Sequence, residues 1–129
     1  MRKAILAVLL ALVSSNAMAE WVEVAGNEAT AAYADPATIR REVDMVTMWH
    51  LLDYAKVRGT DGIKPYRSIK IQDEYDCAQA RTRTLSISVH SGNMGEGAVL
   101  GTSSETGKWR PVPPDTLAET LREFACWKQ

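Results

Sequence analysis

Residues 66–77, YRSIKIQDEYDC, and residues 81–90, RTRTLSISVH, decide the fold. Both alternate apolar and polar residues with a period of two, the pattern of a strand that buries one face. In the first, Ile69, Ile71, Tyr75 and Cys77 fall on one side and Ser68, Lys70, Gln72, Glu74 and Asp76 on the other. In the second, Leu85, Ile87 and Val89 face inward, while Thr82, Thr84, Ser86, Ser88 and His90 face outward. Arg81 and Arg83 prolong the inner row, their long stems reaching water at its end. The short turn at Ala78-Gln79 makes the two segments antiparallel neighbours.

Toward the N-terminus, residues 43–57 form the longest candidate strand. Met45, Thr47, Trp49, Leu51 and Asp53 lie on one face, and Val46, Met48, His50, Leu52 and Tyr54 on the other. Both faces are largely apolar, which predicts a central position covered on both sides. A turn-rich loop spans Arg58 to Pro65. Before the long strand, Asp35-Pro36 breaks the chain, because proline lacks an N–H, and Asp35 is placed to cap a single turn. Trp21 to Val24 and Ala29 to Tyr33 read as a first pair of short strands. Toward the C-terminus, residues 91–95 (SGNMG) supply a hairpin turn and Glu96 to Ser103 a last strand, thinned by Gly97 and Gly101.

The period then changes. After a stiff connector, Trp109-Arg110-Pro111-Val112-Pro113-Pro114, the residues Thr116-Leu117-Ala118-Glu119 match a capping box, so a helix begins there. Leu117, Leu121, Phe124 and Ala125 form its apolar stripe. Cys126 lies roughly half a turn off that stripe at about 100° per residue, which predicts fraying near it. The class is α+β: an antiparallel meander sheet of about six strands with one C-terminal helix packed on a face.

With 129 residues, 46% hydrophobic and 24% charged, the chain suits one domain with one core. Arg2 and Lys3, the apolar stretch Ala4 to Val13, and Ala17-Met18-Ala19 read as a cleaved secretory signal peptide over residues 1–19, leaving a single domain over 20–129. The apolar stretch is far short of the roughly 20 residues a membrane span needs, and no cysteine follows it to carry lipid. The expected destination is the periplasm, with the cell surface or the medium as alternatives. Fifteen Lys and Arg against 16 Asp and Glu give no basic field for nucleic acid. In an exported chain the two cysteines, Cys77 and Cys126, read as a structural disulfide.

The catalytic inventory is thin. His50 and Asp53 point to opposite faces of one strand, His90 has Ser86, Ser88 and Ser91 nearby but no nucleophile elbow, and Asp73 faces away from Glu74 and Asp76. No catalytic residue, metal site or cofactor is assigned, and a small hydrolase is the least favoured alternative. Binding is better represented. Arg67, Lys70, Arg81 and Arg83 lie on two paired strands and form either a basic patch for an acidic partner or a solvated sheet face. Trp109 and Arg110 are either interface anchors or, for Trp109, a plug over the end of the core.

Several stretches, read together, resemble the surface-adhesin protein E family of Gram-negative bacteria. They are Trp21-Val22-Glu23-Val24, residues 33–39 (YADPATI), Met48-Trp49, Glu74-Tyr75-Asp76-Cys77, Arg81-Thr82-Arg83, residues 91–95, residues 107–113 (GKWRPVP) and Ala125-Cys126. The resemblance implies a small antiparallel sheet flanked by a C-terminal helix. It also implies attachment to host extracellular proteins such as vitronectin or laminin; the alternative partner is a bacterial envelope protein met in the periplasm. Reversing Arg81 and Arg83 to glutamate is expected to weaken such binding and flatten its salt dependence while leaving the melting temperature nearly unchanged.

Overall fold

The computed structural model describes residues 20–127 apart from Thr60, Asp61 and Ile63. The expected leader, residues 1–19, lies outside them, as does part of the loop before Pro65. Eight strands, β1 (Val22–Gly26), β2 (Thr30–Ala34), β3 (Arg40–Glu42), β4 (Met45–Arg58), β5 (Tyr66–Asp76), β6 (Arg81–His90), β7 (Val99–Ser103) and β8 (Arg110–Pro111), precede one helix, α1 (Leu117–Trp127). They make one antiparallel sheet in the order β1-β2-β4-β5-β6-β7, with β3 added to β4 and β8 to β6. The expected six-strand meander is present, and β3 and β8 are two short additions.

Residues opposite one another in the ladder share a face. Pairing of Val46 with Tyr75, Met48 with Asp73, and His50 with Ile71 and Ala34 places all of these on the face that α1 covers. There Ala34, Val46, Met48 and Tyr75 pack with Leu121, Ala125 and Cys126 to form the core. The other face carries Trp49, Leu51 and Asp53 of β4 against Gln72, Lys70 and Ser68 of β5. It is crossed by residues 91–98 rather than by a tight hairpin: Ser68 Oγ donates to the Gly92 carbonyl at 2.6 Å, and Met94 N–H donates to Asp53 Oδ1 at 2.8 Å. We call these the helix face and the loop face.

One irregularity redirects the β6 side chains. Gln72 pairs with Ser86 but Asp73 pairs with Thr84, so Leu85 is an extra residue, a β-bulge. Beyond it the alternation inverts. Thr82 and Thr84 turn to the helix face, and Arg81 and Arg83 turn to the loop face opposite Asp76 and Glu74. The uninterrupted alternation expected from sequence put these four residues on the wrong sides.

The edge of β4 is occupied along most of its length. β2 pairs with residues 50–54 and β3 with 45–47. Between them Trp49 donates its N–H to Thr38 Oγ1 at 3.0 Å and accepts from Asp35 N–H at 3.1 Å. The single turn Pro36–Thr38, capped by the Asp35 side chain as expected, thus satisfies backbone groups that would otherwise be orphaned.

The helix starts where the capping residues put it. Thr116 Oγ1 accepts the Glu119 N–H at 3.2 Å, and Glu119 Oε2 accepts the Asp115 N–H at 2.6 Å, one residue earlier than in the standard box. Contrary to expectation, the helix does not fray before Cys126 but runs to Trp127. Its buried residues are Leu121, Ala125 and Cys126, and Leu117 is exposed. The stripe is therefore rotated so that Cys126 sits on its flank, beside the end of β5, where it bonds Cys77 with a Cα–Cα distance of 5.9 Å. Arg41 donates to the Cys126 carbonyl at 2.7 Å, and Arg122 donates to the Asp76 and Cys77 carbonyls at 2.8 and 3.1 Å.

Candidate interaction site

Trp109 and the two arginines, separate candidates in the sequence, come together on the loop face. β8 pairs Arg110 with Thr82 and Pro111 with Arg81, so Arg110 falls on the helix face and Trp109 on the loop face beside Arg83. The guanidinium carbons of Arg81 and Arg83 stand 4.3 and 4.5 Å from the Trp109 ring centroid. Each such stack contributes about 0.5–1 kcal/mol when exposed and more as water is excluded. Trp109 is half-buried: it lies across the arginines on the face that the helix leaves open.

Each arginine is also held by a carboxylate. Arg81 Nε donates to Asp76 Oδ2 at 2.9 Å and Arg83 Nε to Glu74 Oε1 at 2.7 Å. Asp76 is almost fully buried, and its other oxygen accepts the Ala78 and Gln79 N–H groups, both at 2.9 Å, closing the β5–β6 turn. The Gln79 N–H, joined by the Arg81 guanidinium and the Ala78 N–H, holds the Asp76 carboxyl below the usual carboxylate range against the cost of burial.

The four groups therefore balance in charge, and the site is an aromatic ring between fixed guanidinium groups rather than a net basic patch. Lys70 shares the loop face but stands four residues along β5 from Glu74, about 13 Å at strand rise. Arg67, next to Ser68, points to the opposite face near the other end of β5. Arg110 reaches toward Thr84 Oγ1 at 3.4 Å. The expectation that arginine reversal leaves stability unchanged is corrected accordingly. Arg81→Gln leaves Asp76 buried without its guanidinium and is expected to lower stability by about 1–2 kcal/mol, and Arg81→Glu by more, in urea unfolding.

Asp76 and Glu74 are the members of the site that sequence reasoning did not assign. Their cross-strand register with Arg81 and Arg83 is the signal for them, and it becomes readable once the bulge at Leu85 is placed.

The remaining reactive side chains form no complete catalytic set among the described residues. On the helix face, His50 Nδ1 lies 3.8 Å from Asp73 Oδ2, too far for a hydrogen bond, and Asp73 instead accepts from Thr84 Oγ1 at 2.8 Å. Burial pushes the His50 imidazole down to about 4 and the Asp73 carboxyl up. On the loop face Ser88 Oγ and His90 Nε2 are 2.7 Å apart, but no hydrogen-bond partner orients the buried His90 Nδ1. No group of three or more potential metal ligands occurs among the described residues.

The fold and the site together define a small, disulfide-pinned α+β domain that presents one sheet face with an arginine–tryptophan cluster. By its match to the surface-adhesin protein E model over residues 21–127, the chain belongs to the surface-adhesin protein E family. Solved structures agree on the fold. Haemophilus influenzae protein E in a second crystal form superimposes with a TM-score of 0.67 at 14% identity, covering 84% of this chain and 88% of that one. Another structure of the same Haemophilus influenzae protein gives 0.64 at 14%, covering 84% and 85%. Protein E from non-typeable Haemophilus influenzae gives 0.63 at 14%, covering 87% and 78%. No curated protein matches the chain in sequence.

Proposed function

We propose that this chain is an exported, non-catalytic binding protein that engages a protein partner through Trp109 and the guanidinium groups of Arg81 and Arg83. The observation that carries the reading is the stacked cluster itself. Tryptophan and arginine are enriched among the hot-spot residues that dominate interface energies, and here ion pairs and a proline-flanked strand already fix them, so little side-chain entropy remains to be lost on binding. Family membership supports an adhesin-like role, and a host matrix or serum protein such as laminin or vitronectin is the first partner to test.

Surface plasmon resonance of the chain from residue 20 onward on immobilised laminin and vitronectin tests this reading. Saturable binding with only a shallow salt dependence is the expected result, because Asp76 and Glu74 cancel the arginine charges. No binding to either protein turns attention to a periplasmic envelope partner. For that second reading the specific observation is β7, the last strand of the sheet, which leaves Val99 58% exposed. Protease shaving of intact cells separates the two, since a surface adhesin is cleaved and a periplasmic protein is protected.

A further inference from the structure

The loop face holds a second feature, independent of the arginine–tryptophan cluster. Trp21, Asp35, Thr38, Trp49, Lys70 and Ser88 line a cleft of about 310 Å³. Its floor comes from the centre of the sheet, where Leu51 pairs with Lys70 and Lys70 with Ser88, and its rim from the N-terminal segment and the Pro36–Thr38 turn. The 91–98 loop lies against the Lys70 side chain at Gly95, which has a φ of 71°, a backbone conformation that favours glycine.

Three properties of the cleft specify its ligand. Trp21 and Trp49 are both half-buried, and among the described residues neither indole N–H donates to a protein acceptor. Lys70 and Asp35 carry opposite charges into the same cleft without pairing with each other, and only one Asp35 oxygen is engaged, by the Ala37 N–H at 3.1 Å. Ser88 presents a hydroxyl fixed by His90 at 2.7 Å. An acyl chain would leave both charges and both indole donors unpaired. A polyanion would meet Asp35. A ring with an apolar C–H face and a rim of hydroxyls uses all of them, stacking on indole while its hydroxyls accept from Lys70 and the indoles and donate to Asp35.

We propose that this cleft binds a pyranose ring of an uncharged glycan segment. Two sources share that chemistry, host-cell glycans and bacterial peptidoglycan, and the experiment separates them. Tryptophan fluorescence of the chain from residue 20 onward is titrated with N-acetyllactosamine, as the host arm, and with N-acetylglucosamine oligomers, as the peptidoglycan arm. Saturable change with at least one of them is expected, with Kd on the order of 1 mM.

Trp49→Ala and Lys70→Ala should each raise the Kd about tenfold, whereas Trp49→Phe, which keeps an aromatic surface in the cleft, should retain most of the affinity. Trp109→Ala should leave it unchanged, so this inference and the protein-binding reading fail separately. No response to either sugar, or equal affinities in wild type and Lys70→Ala, would overturn it.

Discussion

Replacing either Cys77 or Cys126 with alanine is expected to cost about 4 kcal/mol. The bond closes a loop with a sequence separation of 49, and cross-linking so long a segment removes that amount of conformational freedom from the unfolded chain on the chain-entropy model. The folded side adds to it. Cys126 belongs to the core, and the bond fixes the end of α1 to the end of β5, where Arg41 and Arg122 take their carbonyl partners. A domain of this size has roughly 5–15 kcal/mol in all, so the loss should lower the melting temperature by roughly 15 °C. Thermal unfolding with and without reductant, beside the two alanine variants, measures it. Reduced and oxidised protein melting within a degree or two of each other would contradict the assignment of stability to this bond.

Acidification between pH 6.5 and about 4 should destabilise the protein by about 2–3 kcal/mol, and His50 should be the main cause. Burial lowers its folded pKa to about 4 from the ordinary 6.5. The unfolded chain therefore takes up a proton in this window while the folded one does not, and stability falls as pH falls. His90, lowered by burial and by Lys70, acts in the same direction, whereas Asp73, raised by burial, offsets part of the loss. Asp76, held low, contributes stability above the ordinary carboxylate pKa that is lost only as pH falls further, through its own depressed value. His50→Leu should flatten the profile between pH 6.5 and 4 and change stability at pH 7 little, because Nδ1 has no hydrogen bond to lose. Urea midpoints at several pH values decide it, and an unchanged slope in His50→Leu would assign the effect elsewhere.

The long strands, their antiparallel order, the helix start and the disulfide were legible because each rests on local periodicity or on a residue with one role. What was not legible depends on backbone detail. β3 was missed because its turn into β4 uses Val43 and Asp44, with Val43 at a φ of 56°, where glycine or asparagine would have marked a reversal. The bulge at Leu85 has no composition signature, yet it moves Arg81 and Arg83 to the face that Trp109 covers. Residue type alone therefore found the members of the cluster but neither their contact nor their neutralisation by Asp76 and Glu74. The loop-face cleft was invisible for a related reason: Trp21, Trp49 and Lys70 are distant in sequence and meet only through strand register and the Pro36–Thr38 turn.

Trp109→Ala is the variant that isolates binding from folding. The ring is half-buried, outside the core cluster, and its removal leaves both arginine–carboxylate pairs in place. Surface plasmon resonance of wild type and Trp109→Ala on the same laminin and vitronectin surfaces, with melting curves recorded for both, is the measurement to make. A loss of at least about 2 kcal/mol of binding free energy, more than twentyfold in Kd and mainly in dissociation rate, with a melting temperature within a few degrees of wild type, is the predicted result. Equal affinities for the two proteins would contradict it.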